Sequence, residues 1–291
     1  MNTELAIYKV VAGLARTLPP PAMATLCRGV TAAIPLFDAE RKRLVARHLE
    51  RSMGRRLRSD EIGPAVRAVF ASYARYYTDT ARLPGLTGED VDRGFSYEGF
   101  TSIEDSVAAG KGTVLVLPHL GGWEWAGSWL ARVPGYEVTA VVEPLANEGV
   151  RQFMHEWREA VGFDVLALGP GLGGELLRRL RANHIVCLMS DRNIGSGGVA
   201  VDFFGEQTEL PAGPATLALR TGATIVPLCV YHRGRYNHAV VEPPMVVERE
   251  GSMRADVTRI TQDIAHLLEM QIRRAPTQWL LLQPNWPSDF T

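Results

Sequence analysis

Cysteine is scarce in this chain: 291 residues hold only Cys27, Cys187 and Cys229, with no CxxC or Cys–His spacing among them. That excludes a disulfide framework and a zinc cluster. Cys187 and Cys229 sit inside the apolar runs HIVCLM and IVPLCVY, positions expected to bury reduced thiols in a cytosolic, reducing environment. Neither sign of charge dominates, since 31 Lys and Arg stand against 32 Asp and Glu, so no basic field exists for a nucleic-acid partner. Apolar runs are short. Nothing approaches the roughly 18 uncharged residues of a spanning helix, and Lys9 and Arg16 interrupt the apolar N-terminus, so no secretory signal is expected. A G-x-S-x-G elbow is also missing, which argues against a serine hydrolase.

What is present is an ordinary globular balance, 46% hydrophobic and 22% charged, enough for one α/β domain with a helical appendage. Residues 1–85 read as helical. The segment 5–18, LAIYKVVAGLARTL, has an apolar face with isolated basic residues and fits either a helix packed on its own protein or one lying in a membrane interface. After the PPP break at 19–21 come AERKRLVARHLERSMG and EIGPAVRAVFASYARYYTDTARL, the latter with Val66, Val69, Phe70, Tyr73, Tyr76 and Tyr77 at helical spacing, a packing face in the simplest reading. From about residue 95 the pattern alternates. Strands are expected at 113–118, 136–143, 163–168, 184–190, 223–232 and 238–243, with helices between them. Continuous Val/Ile/Leu runs separated by helices predict an α/β fold, a mostly parallel central sheet flanked by helices behind a helical N-terminal region. The expected division is 1–85 and 86–291.

Ligands of such sheets bind beyond the carboxyl ends of the strands. The first end is TVLVLPHLGGWEWAG, where His119 sits at the rim and Gly121 and Gly122 admit a tight path into a helix. His119 and Glu124 would point about 140° apart on a single helix, so they converge only if His119 lies in the turn before it. A histidine there suits a general base with a carboxylate on its other ring nitrogen; a rim histidine bonded to nearby backbone is the simpler alternative. Glu143 closes the second strand, with Arg151 and Arg158 seven residues apart on the following helix. Two such arginines grip phosphate or simply decorate a solvated surface. The third end is MSDRNIGSGGVAVDFFG, where Asp191 and Arg192 emerge from a buried run, the place where charge is more often functional than structural. A rival pattern, Gly169-Pro-Gly171-Leu-Gly-Gly174 with Asp191 about twenty residues on, matches a dinucleotide-binding fingerprint and would imply a nucleotide-dependent oxidoreductase.

The ordered set of blocks resembles a known family. LPHLGGWEW is similar to the H-x4-D/E signature of glycerolipid and lipid A acyltransferases, with Glu where many members carry Asp. VVEPLANEGVRQFMHEWREAVGFDVL and MSDRNIGSGGVAVDFFGEQTELPAGPATLALRTGATIVP resemble later blocks of the lipid A late-acyltransferase superfamily. RLPG, PHLGGWEWAG, DFFGE, LPAGPA and LLQPNWP look most like its actinobacterial phosphatidylinositol mannoside acyltransferases, although position 191 is Asp where those carry Glu. The resemblance spans most of residues 65–287 and implies transfer of a palmitoyl-like chain from acyl-CoA, a co-substrate, to a mannose hydroxyl, with no cofactor or metal. It implies a peripheral enzyme on the cytoplasmic face of the plasma membrane, with His119 as base, Asp191 or Glu124 as its partner, and Glu143 and Arg158 at further polar positions. Amides near Gly121 and Gly122 would meet the oxyanion, Arg158 or Arg192 a phosphate, and Trp123, Trp125 and Trp129 the acyl chain or the core. Lipid A or another lipid as acceptor, and a lipid-binding protein without catalysis, are the alternatives. Removal of the His119 side chain is expected to cost little stability, as for a histidine at a rim.

Overall fold

The computed structural model describes residues 38–143, 147–195 and 197–290, with a few positions between 13 and 29; the side chains of residues 153–155 and 158 are also outside the described set. The 5–18 segment therefore lies largely outside the described residues.

Helix α1 (Ala39–Met53) starts at Asp38, whose side chain accepts the Arg41 amide at 2.8 Å, and stops at Gly54 in the left-handed region. Helix α2 (Ser59–Arg82) buries Val66, Phe70, Ala74 and Thr78, one residue every four, along one face. After a 3-10 turn at Leu83–Gly85 and the short helix α3 (Gly88–Arg93), strand β1 (Phe95–Glu98) opens the α/β region. It continues through α4 (Thr101–Ala108), β2 (Thr113–Leu117), α5 (Trp123–Arg132), β3 (Val138–Val142), α6 (Glu148–Val161), β4 (Asp164–Ala167), α7 (Leu172–Arg181) and β5 (Ile185–Met189). The chain then forms β6 (Gly198–Phe203), β7 (Glu206–Pro211), α8 (Gly213–Thr221), β8 (Thr224–Arg233), β9 (Tyr236–Val241) and α9 (Met253–Arg274).

Seven strands form one sheet in the order β1-β9-β8-β2-β5-β3-β4, parallel throughout except for the β8–β9 hairpin. The expected fold class is the one observed. Central strand β2 reads TVLVL without alternation because both of its faces are covered. Val114 and Val116 pack with Val186, Leu188 and the α9 residues Ile260, Ile264 and Leu268. Leu115 and Leu117 pack the other way, with Val226, Leu228, Trp125, Trp129 and Leu130. Each fully buried aliphatic contributes roughly 1.5–3 kcal/mol, so β2 is firmly anchored on both faces and gives a rigid mount to the turn at its carboxyl end.

Three strands were not visible in the sequence. β1 is short and largely exposed at the sheet edge, with no apolar run to reveal it. β6 and β7 form a separate antiparallel hairpin in a stretch where no strand was expected. Its turn is Phe204-Gly205, both at positive φ, and lacks the Asn-Gly or Asp-Gly pair that usually advertises a tight hairpin.

The C-terminal segment after α9 runs back across the rim of the sheet. Leu280 N donates to His119 O at 2.7 Å, Gly121 N donates to Gln278 O at 3.1 Å, and Leu120 and Trp279 form an antiparallel bridge. Leu282 of this segment packs into the cluster of Val45, Leu49, Val66 and Phe70 from α1 and α2, so the two helices and the tail are held together by burial.

Candidate active site

Strands β2 and β5 are parallel neighbours with Leu117 opposite Met189. Two residues past each partner lie His119 and Asp191, so equal overruns at adjacent strand ends bring the two side chains together. His119 Nδ1 and Asp191 Oδ1 are 2.7 Å apart. Asp191 is fully buried, and its other oxygen accepts the His119 amide at 3.0 Å and the Trp279 indole N–H at 2.7 Å. The Asn285 side-chain amide donates to the Asp191 carbonyl at 3.1 Å. Burial alone would push this carboxyl up. The adjacent His119 charge and the donors from His119 and Trp279 outweigh it and hold the group below the usual carboxylate value. The ionised carboxylate then fixes the tautomer with the proton on Nδ1, leaving Nε2 as the nitrogen free to act on a ligand.

His119 lines an open cavity of about 460 Å3, walled among others by Tyr76, Tyr77, Trp123, Glu124, Glu143 and Arg192 and by the apolar Leu172, Leu176, Ile194 and Pro214. Apolar walls with a few convergent polar groups are the usual character of a ligand site. A small apolar cleft of about 30 Å3 shares Trp123 and Glu124 with this cavity and is lined further by Ala126, Gly127, Leu130, Val138, Phe163 and Cys187. A larger groove of about 610 Å3 lies between the end of α9 and the β8–β9 hairpin. There Glu242 and Arg274 pair with each other at 2.7 Å, and His232 is pushed down to about 3 by burial and then by the Arg75 charge. A neutral, buried histidine held on Asn237 at 2.8 Å is a structural group.

The turn that carries His119 needs its glycines. Gly121 has φ of 60°, and a Cβ there would stand 1.9 Å from Val230 O, while one on Gly122 would stand 2.2 Å from Asn237 Oδ1. One expectation is corrected here: the Gly121 amide is already given to Gln278 O, so it does not face a ligand, and Gly122 with the first turn of α5 is what remains for an oxyanion.

The other predicted residues divide. Glu124 is buried in the first turn of α5 and lines the cavity, but the carboxylate on the imidazole is Asp191. Glu143 and Arg192 face the cavity 4.0 Å from one another. Arg151 is half exposed and pairs with Glu148, as a surface residue would; the side chain of Arg158 lies outside the described residues. Trp123 lines the cavity and stacks on Tyr76 at 5.6 Å. Trp125 and Trp129 instead bond Val91 O and Asp92 within the core. The tyrosine stripe of α2 splits likewise: its aliphatic members pack inward, while Tyr76 and Tyr77 face the cavity. Cys187 and Cys229 are pushed up to about 12 by burial, which fits inert thiols.

The glycine pattern at 169–174 follows β4, the edge strand of the sheet, and Asp191, which a dinucleotide fingerprint would place on a ribose, is buried against His119 and Trp279. The oxidoreductase expectation therefore fails for want of its acid. Trp279 and Asn285 were missed as site residues. Their only signal was an aromatic, amide-bearing tail, QWLLLQPNWP.

Comparison with known proteins identifies the family. The phosphatidylinositol mannoside acyltransferase of Mycobacterium tuberculosis (strain CDC 1551 / Oshkosh) is 38% identical over 236 residues, 78% of this chain and 72% of that protein. The enzyme of the same name from Mycolicibacterium smegmatis is 38% identical over 232 residues, 78% of this chain and 73% of its own. Residues 3–288 match the bacterial lipid A biosynthesis acyltransferase family. The chain belongs to that family and is an acyltransferase.

Proposed function

We propose that this acyltransferase moves a long-chain, palmitoyl-like group from acyl-CoA to a mannose hydroxyl of a phosphatidylinositol mannoside, as a peripheral protein on the cytoplasmic face of the plasma membrane. The observation that carries the chemistry is a histidine at a strand end, its Nδ1 on a buried carboxylate 2.7 Å away and its ring in the wall of a cavity. The acceptor class rests on the mycobacterial relatives, which are named for that acceptor, and the acyl-CoA donor on what the resemblance of the sequence blocks implies. No helix among the described residues is long and apolar enough to cross a membrane, which suits surface attachment.

The reaction is a direct transfer. His119 Nε2 takes the proton of the mannose hydroxyl as its oxygen attacks the thioester carbonyl carbon. The tetrahedral oxyanion is met by backbone N–H groups of Gly122 and the positive end of α5. Collapse breaks the C–S bond, and the imidazolium returns the proton to the departing CoA thiolate. Asp191 stabilises the imidazolium in between. Arg192 is placed for a phosphate of either substrate. The acceptor oxygen attacks the thioester itself, so no acyl-enzyme enters the path.

The acyl chain is assigned to the apolar walls of the cavity, with its end at the small cleft beside Trp123. Gly127 borders it, and a Cβ there would meet the Phe163 ring at 3.4 Å. Gly127→Leu is expected to lower kcat/KM for palmitoyl-CoA at least about tenfold relative to decanoyl-CoA, since an occluded methylene pocket discriminates by a factor of that order or more. An unchanged chain-length ratio would place the chain elsewhere.

The decisive assay incubates purified protein with palmitoyl-CoA, with and without a phosphatidylinositol mannoside, and follows free thiol and acylated lipid by mass spectrometry. Acylated mannoside is the expected product. Thiol release without it would keep the acyltransferase and reject this acceptor in favour of lipid A or another lipid. Absence of thioester consumption with every lipid tested would reject the acyl-CoA donor.

A further inference from the structure

We infer that Trp279 is a positioning residue of the transfer reaction, its indole N–H locking the Asp191 carboxylate so that one oxygen is presented squarely to His119 Nδ1. The inference rests on the reading of His119 as the base and concerns the group that keeps that base in place.

Three observations meet at this residue. First, the Trp279 Nε1–Asp191 Oδ2 distance, 2.7 Å, equals that of the bond between Asp191 Oδ1 and His119. A carboxylate turns about its Cβ–Cγ bond unless both oxygens are held. Here Oδ2 is held by a donor of fixed direction, since an indole offers one N–H and no acceptor. Second, the donor itself cannot wander. Trp279 is almost fully buried, packed by Phe204 at 5.7 Å and by His48 at 5.8 Å. Third, the backbone around it is tied to the loop that carries the base. Gln278 O receives Gly121 N, His119 O receives Leu280 N, and the Gln278 side chain bonds both the N–H and the C=O of His232 at the end of β8. The C-terminal segment is thus hydrogen-bonded to both members of the pair, and Trp279 is the side chain through which it reaches the carboxylate.

Trp286 provides an internal control. It is also buried, and its indole N–H is also bonded, but to Phe203 O at 3.0 Å. Trp279→Phe and Trp286→Phe therefore each delete one buried indole N–H, and only the first touches Asp191.

The expected result for Trp279→Phe is a fall in kcat of about 10- to 100-fold with KM for both substrates within a factor of about three, as expected when an orienting contact is lost without loss of binding. The acid limb of the kcat/KM profile should move to higher pH. With one donor fewer, Asp191 places more charge on the oxygen facing His119, which favours the imidazolium and demands a higher pH for the free base. Glu124, Glu143 and Arg192, the other charged groups lining the cavity, are unchanged in this variant. Trp286→Phe should leave the limb where it is. β-(3-Benzothienyl)alanine at position 279, which replaces the indole N–H by sulfur at nearly the same shape, should reproduce the shift even if the phenylalanine variant folds poorly. Wild-type kcat and an unmoved limb in the benzothienyl protein would overturn the inference. So would equal losses in the two phenylalanine variants with the limb unmoved in both, which describe packing alone. His119→Ala separates this inference from the one beneath it: an active His119→Ala protein removes the base assignment itself, whereas an inactive one beside a wild-type benzothienyl protein removes only the role of Trp279.

Discussion

His119→Ala is expected to lower kcat/KM for acyl transfer by about 10^3-fold or more, the scale of a deleted general base. It should also destabilise the protein. The sequence suggested a rim histidine whose removal costs little, but the geometry changes that expectation. Asp191 is fully buried, and the imidazole is its hydrogen-bond partner at 2.7 Å. Without it a buried carboxylate keeps only the backbone amide of residue 119 and the Trp279 indole, at a cost of about 1–3 kcal/mol. The pH dependence carries the sign. A carboxyl held below its unfolded value contributes stability above the ordinary carboxylate range and loses it as pH falls through that range toward the folded value. The stability gap between wild type and His119→Ala should therefore narrow in acid, which thermal melts between pH 7 and pH 3 will read. Asp191→Asn should lose nearly as much activity as His119→Ala, because the Asn amide favours the opposite tautomer, a change that costs up to about 10^4 in a comparable triad. Glu124→Gln should lose at least roughly tenfold less than Asp191→Asn, since its role is in the cavity wall rather than on the ring nitrogen. Equal losses for the two acids would return Glu124 to the imidazole.

Much of this site was legible because strand ends announce themselves. LVLPH and CLMSD both read as apolar runs cut off by a polar residue, and the fold rule for open α/β sheets puts such residues on one rim. The distance between them was not legible. It depends on the Leu117–Met189 register and on β2 and β5 being neighbours, although β3 and β4 lie between them in the chain. Nor could the choice between Glu124 and Asp191 be made firmly from a helical angle alone, since Glu124 falls in the same cavity wall. The tail was the largest blind spot. Trp279 and Asn285 reach Asp191 across 88 and 94 residues of chain, and no local periodicity encodes a contact of that range. The same applies to the Gly121 amide. Its motif suggests a ligand, but its partner, Gln278, comes from the far end of the sequence. The features read correctly are local or obey a fold-wide rule, and those missed are long-range pairings made by the C-terminal segment.

Asp289→Asn is expected to be strongly destabilising, because this carboxylate fastens that segment. Its side chain is fully buried, and Oδ2 accepts His48 Nε2 at 2.9 Å and the Asn285 and Trp286 amides at 2.9 and 3.2 Å. Oδ1 faces Arg51 at 2.9 Å. Burial opposes the charge, but the His48 bond, the Asn285 amide and Arg51 overcome it and hold the carboxyl far below its ordinary value. Removing one partner of a buried, hydrogen-bonded charge cluster costs about 3–5 kcal/mol, which for a chain of this size lowers Tm by roughly 10 °C. The linkage sign is again that of a depressed carboxylate. The contribution is complete above the unfolded carboxyl value, near about 4, and declines as pH falls below it, so the wild-type advantage over Asp289→Asn should be large at pH 7 and much reduced at pH 3. The effect on catalysis comes from the same bonds. His48 Nδ1 lies 3.1 Å from Leu281 O, two residues beyond Trp279, so a tail released from α1 frees the indole that holds Asp191. At a temperature where the variant is still fully folded, kcat should fall while KM stays within a factor of about three, as for Trp279→Phe. A stable Asp289→Asn protein with unchanged melting would show that α1 and the tail are held by apolar packing alone. A destabilised one with wild-type kcat would uncouple the clasp from the active site.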